Sequence, residues 1–180
     1  MSKSIATFAA ATVLLSSAAF AQSVGEKTGV NSTLGIAPTT ADFVKEAVMS
    51  DMSEIESSRI AEQKGNSDEK KFAQQMIADH TKASFELKSM ATSGDPNTKI
   101  PTALDDSSRS KLDKLRDVKP ETFPSQYDPM QVSAHKDAVS LFERYAKGGD
   151  NPKLKDWAGK TLPALQHHLE MAQALDKNRK

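Results

Sequence analysis

From Phe72 to Met90 the chain reads FAQQMIADHTKASFELKSM, and its apolar residues Phe72, Met76, Ala83, Leu87 and Met90 recur at the spacing of one helix face. His80 falls on the same stripe. Before it, Thr39 and Thr40 offer N-caps, with Asp42 as a capping-box partner of Thr39. The pattern predicts a helix from there to about residue 64, with Phe43, Val44, Ala47, Val48, Met52, Ile55 and Ile60 on its apolar side and Gly65 as its stop. Asn66-Ser67 caps the Phe72 helix, expected over about 68–92 and ended by Gly94-Asp95-Pro96. A third long helix is expected over about 125–147, with Val132, His135, Val139, Phe142 and Ala146 on one stripe. Gly148-Gly149 ends it. The fourth is capped by Asp150 or Asn151, takes Pro152 in its first turn and continues to about residue 177, its stripe being Leu154, Ala158, Thr161, Leu165, His168, Ala172 and Leu175. Pro163 inside it removes a hydrogen bond to Gly159 and should kink it.

Between the second and third helices lie more than thirty residues punctuated by Pro101, Pro120 and Pro124. Residues 106–116 within them form an amphipathic segment in which Leu112 and Leu115, with Leu104, suit a short helix covering the long ones. Four long helices joined short, long, short make two antiparallel hairpins connected by a crossover, so an all-α four-helix bundle over 39–178 is expected. No strand-like alternation supports an all-β or α/β fold.

The N-terminus changes the picture of where this domain works. Lys3, the apolar run from Ile5 to Leu15 and the small-residue pattern Ala19-Phe20-Ala21 form a secretory signal peptide over residues 1–21. The interrupted run falls short of the roughly 20 apolar residues of a membrane anchor. Residues 22–38, rich in Gly, Ser, Thr and Asn, carry no periodicity and read as a flexible leader. Export is therefore expected, into the periplasm where there are two membranes. The chain has no cysteine, which removes lipid attachment at a mature cysteine, disulfides and thiolate metal sites. Its 24 basic and 24 acidic residues balance, and nothing in that balance favours nucleic acid or an anionic membrane surface. Oligomeric state stays open, a homo-oligomer included.

Chemistry concentrates in the histidines. Three of the four, His80, His135 and His168, lie on the apolar stripes of helices two, three and four; His167 is turned about 100° from His168 and should face solvent. The first helix offers Ala47, Asp51, Glu54, Ser58 and Ala61 at core-like spacing. Glu54 and His80 are equidistant from the first hairpin turn, as His135 and His168 are from the second, and each lies about 20 Å from its turn. One layer near mid-bundle would then hold one residue from each helix: Glu54, His80, His135 and His168. That set suits one divalent metal ion such as zinc, iron, copper or nickel. The competing reading is a buried carboxylate–histidinium network that sets helix register. Met52, Met76 and Met171 are spaced as core, while Asp79, Glu86 and Glu143 neighbour the stripes as partners for the histidines or as solvated groups. Paired catalytic carboxylates, a phosphate-binding loop and a nucleophile elbow are missing, so no catalytic residue is assigned.

The blocks FVKEAVMSDMSEIESSRIA, KKFAQQMIADHTKASFELKSMA, YDPMQVSAHKDAVSLFERYA and LKDWAGKTLPALQHHLEMAQAL resemble a bacterial domain-of-unknown-function family of exported proteins, often labelled outer membrane proteins and grouped with ferritin-like bundles. The resemblance spans about residues 40–175 and falls on Glu54, Asp79, His80, His135, Phe142, Leu162, Pro163 and His168. It implies a ferritin-like bundle and no established activity. At Phe123-Pro124 the family pattern has Phe-Asp; if that Asp caps the third helix, Ser125 must replace it here. Ferritin-like di-iron centres need Glu-x-x-His on two helices, whereas Ile77, Val132 and Leu165 precede these histidines by three. The expectations are an exported bundle without catalysis, concerned with the envelope or stress; a mononuclear metal or redox protein; or a helical interaction module presenting an apolar patch near the crossover helix.

Overall fold

A computed structural model describes residues 24–94 and 99–179, and these are all-helical. Helices α1 (Val24–Lys27) and α2 (Val30–Leu34) precede the long α3 (Thr40–Lys64) and α4 (Ser67–Gly94). After the crossover helix α5 (Asp106–Asp117) and a 3-10 turn (Pro120–Thr122) come α6 (Phe123–Gly148) and α7 (Pro152–Asn178). The signal peptide expected over 1–21 lies outside the described residues.

The long helices start and stop where local chemistry demands. The Thr39 hydroxyl accepts from the Asp42 N–H, and Asn66 Oδ1 accepts from the N–H groups of Asp68 and Glu69 while Glu69 Oε2 accepts from Asn66 N–H at 2.6 Å, a reciprocal cap. Asn151 Oδ1 caps α7 at the Lys153 and Leu154 N–H groups. Gly65 and Gly149 end their helices in extended backbone, so left-handed freedom is not their role. Space is: a Cβ at either would come 2.7 Å from a carbonyl of its own helix, Ala61 O or Tyr145 O. α6 departs from expectation by beginning at Phe123, with Pro124 in its first turn and no side-chain cap. Ser125 does not replace a capping Asp, because its hydroxyl donates to Thr122 O. Proline in a first turn gives up a donor that has no partner there anyway. Two prolines, Pro129 in α6 and Pro163 in α7, lie within helices.

α3 packs along α4 and α6 along α7; α4 also meets α7, and α3 meets α6, closing a ring of four long helices. α5 lies over α3 and α6 and buries Leu112 and Leu115, as its amphipathic pattern predicts. The non-periodic segment before α3 is not featureless. α1 and α2 fold against α6, where Arg144 grips both carboxylate oxygens of Glu26 at 2.5 and 3.0 Å and the Ile36 carbonyl at 2.7 Å. A long-range ion pair of this kind leaves no periodicity for a sequence to show.

The apolar core is in two parts. One holds Phe43, Val48, Leu87, Phe142, Tyr145 and Trp157, with the Phe43 and Tyr145 rings stacked at 3.9 Å. The other holds Ile60, Phe72, Met76, Leu115, Phe123 and Tyr127. Each such side chain contributes roughly 1.5–3 kcal/mol of transfer free energy. Between the two parts lies a layer of buried polar groups.

Candidate metal centre

The polar layer begins on α3, where Asp51, Glu54, Ser57 and Ser58 replace the apolar residues found a turn or two away on either side. α4 adds His80, α6 adds Gln131 and His135, and α7 adds His168. The three imidazoles are 1–3% exposed. Their ring centroids stand 5.7, 5.5 and 5.6 Å apart, a nearly equilateral triangle with one corner on each of three helices. One ring nitrogen from each lies within 4.8 Å of the other two.

Each ring is held from outside by one nitrogen. His80 Nδ1 is 2.8 Å from Asp51 Oδ1, His135 Nδ1 is 2.9 Å from the Gln131 carbonyl, and His168 Nε2 is 2.9 Å from Asp79 Oδ2. All three partners are acceptors, so these nitrogens donate and a neutral ring keeps its lone pair on the other nitrogen. Those others, His80 Nε2, His135 Nε2 and His168 Nδ1, are buried and have no partner. Buried nitrogens without partners are costly, by about 1–3 kcal/mol each. Orientation of an imidazole by an oxygen on its far nitrogen is the arrangement that metal-ligating histidines use.

Electrostatics suit a cation. Burial, with the charges of His80 and His168, pushes the His135 imidazole down to about 4 despite its hydrogen bond to Gln131, so it is neutral at pH 7. Burial also lowers His168, more than the Asp79 hydrogen bond raises it. At His80 burial is outweighed by the hydrogen bond and charge of Asp51, with Glu54 and Asp79 nearby, and the imidazole is held above its ordinary value. His135 and His168 thus favour the neutral, ligating form, while His80 is held by the acids beside it, Asp51 above all.

The histidines expected to meet do so, and His167 is exposed as expected. Glu54 is buried at the same layer but is not among the mutually close ligand atoms. It lines a groove of about 330 Å³ between α3, α5 and α6, together with Ser53, Ser57, Lys111 and Asp137. Burial raises its carboxyl to about 7, against His80 and a hydrogen bond with Gln131. The carboxylate touching a histidine from α3 is instead Asp51, three residues earlier on the same face. Its signal was a second acid at core-like spacing. Asp79 partners His168 as its place beside the stripe suggested, whereas Glu86 accepts from Trp157 Nε1 at 3.0 Å. Gln131, unmarked in the sequence reading, lies one turn before His135 and donates to Ser57 at 3.1 Å. Met76 lies in the second apolar cluster, while Met52 and Met171 pack against the first and second.

Among the described residues no helix is long and apolar enough to cross a membrane. No curated protein and no solved structure matches the chain. A family model does match residues 25–175, so the all-helical unit, including α2 and most of α1, belongs to the family described as Domain of unknown function (DUF4142).

Proposed function

We propose that this protein is an exported, ferritin-like four-helix bundle of the cell envelope that holds one divalent transition-metal ion between His80, His135 and His168. The observation carrying this reading is the triangle of buried imidazoles, each fixed by an oxygen on one nitrogen and unpartnered on the other. Nitrogen ligands suit zinc, copper, nickel or iron, and the lack of thiolates argues against softer sites. Ligand nitrogens about 2.0–2.1 Å from a tetrahedral ion stand about 3.3 Å apart, so the rings draw in by about 1.5 Å at most. Asp51 and Asp79, each hydrogen-bonded to one of the histidines, supply negative charge around the ion. The signal-peptide pattern supports export, and the ring of four long helices supports the ferritin-like assignment. A role in envelope maintenance or stress fits an exported metal-binding bundle. An interaction module has less support: Leu112 and Leu115 are buried, and among the described residues the exposed large apolar side chains are Val24, Val30, Leu34, Ile36 and Phe85, none of them in the described part of the crossover.

The test is elemental analysis of the untagged protein from the exported fraction, before and after reconstitution with divalent metals. Near-stoichiometric metal is expected, lost in each of His80→Ala, His135→Ala and His168→Ala and kept in His167→Ala. Equal metal in all four variants overturns the assignment. Protein that resists loading leaves the layer as a structural network, and a chain confined to the cytoplasm overturns export.

A further inference from the structure

Three protein nitrogens leave a four-coordinate ion one ligand short. Among the described residues no fourth ligand atom joins the set. A small cavity of about 50 Å³ adjoins the site, walled by His80 and His168 and by Ala47, Ala83, Ala138 and Ala164, one alanine from each of the four long helices. Glu54 does not line it; it belongs to the groove on the α5 side.

We infer that the ion's remaining coordination position faces this cavity and takes a small exogenous ligand, water or a di- or triatomic molecule. This rests on the three-histidine reading above. Size supports it: a site needs about 10–15 Å³ by this measure to hold one water, so the space admits a few waters or one triatomic, and nothing much larger. Composition supports it too. At the same level of four packed helices, four alanines leave space that one leucine would fill, while Asp51 and Asp79 give the wall a polar edge beside the histidines. Access follows from exposure: Ala164 is exposed, Thr161 half-buried and the Asp79 side chain 39% exposed, so the cavity reaches solvent between α4 and α7.

The experiment loads the full exported protein with Cu(II) or Co(II) and titrates azide, following the visible spectrum and, for copper, the electron paramagnetic resonance signal. A saturable one-to-one change is expected. Ala83→Leu should keep its metal and bind azide at least tenfold more weakly; Ala164→Leu, at the exposed rim, repeats the test without burdening the fold. A wild type that binds metal but shows no azide response overturns the open position while leaving the histidine site intact. Equal azide affinity in both leucine variants overturns the cavity as its route. Failure to bind metal at all is the distinct failure of the underlying reading, and removes this inference with it.

Discussion

Asp128 is 2% exposed and sits against Glu69, with Asp176 of α7 and Arg179 just beyond that helix facing the same group. Burial, then the charge of Glu69 and a hydrogen bond with it, pushes the Asp128 carboxyl up to about 7. A carboxyl raised on folding holds a proton that the unfolded chain releases near pH 4. Its stabilising contribution is therefore complete below about pH 4 and is lost as pH rises through about 7. Asp128→Asn keeps a hydrogen-bonding group and removes that charge. The variant should match wild type in melting temperature at about pH 4 and exceed it by a growing margin up to about pH 8. Parallel curves of melting temperature against pH for the two proteins would show that Asp128 is solvated. The same residue-level logic separates the two acids of α3: Asp51 is fixed by direct contact with His80, while Glu54 acts on that ring only through its charge.

Helices α1 and α2 are too short to be stable alone, so they exist because α6 supplies a partner. That partner is Arg144, whose side chain is 8% exposed, against 3% for Glu26. Removing one member of a buried ion pair costs about 3–5 kcal/mol, because the other charge stays buried; replacing both by apolar groups is often near neutral. Glu26→Ala should thus unfold at a distinctly lower denaturant concentration, and Glu26→Ala with Arg144→Met should recover most of the loss. Identical midpoints for wild type and Glu26→Ala would mean that the N-terminal segment does not clasp α6 in solution. α5 serves in another way: Leu112 walls the groove beside Glu54, Leu115 joins the second apolar cluster, and the Lys64 ammonium is bonded to the carbonyls of Arg116 and Val118 at the helix's C-terminal end.

Across the whole molecule, the polar layer divides one potential core into two. A helical core that interrupts its apolar packing with the eight buried polar residues of this layer forgoes hydrophobic stabilisation, and a ligand that binds only the folded state can restore it. At a hundred times its dissociation constant such a ligand contributes about 2.7 kcal/mol, and for a chain of this size each kcal/mol moves the melting temperature by about 2–4 °C. Saturating zinc should therefore raise the wild-type midpoint by about 5–10 °C and leave His168→Ala unmoved, with Trp157 as the fluorescence probe. A rise of equal size in both would place the stabilising ion elsewhere.

The sequence by itself determined the four long helices, the crossover helix and the height of the histidine layer, but not α1 and α2. Helix-period stripes, Thr39, Asn66 and Asn151 as caps and Gly65 and Gly149 as stops are local signals, read within a few residues of where they act. Three histidines on three stripes at matching distances from two turns placed them at one height, since rise per residue is constant along a helix. Which side chain meets which is another matter, because Asp51 and Glu54 are both buried about one turn apart on the same face of α3 and only packing decides which of them reaches an imidazole. Hence Asp51 rather than Glu54 met His80, and Gln131 entered the layer unannounced. The Arg144–Glu26 clasp joins residues 118 apart, and the small cavity is made by four alanines from four helices. Such features have no local pattern, and the tertiary structure alone decided them.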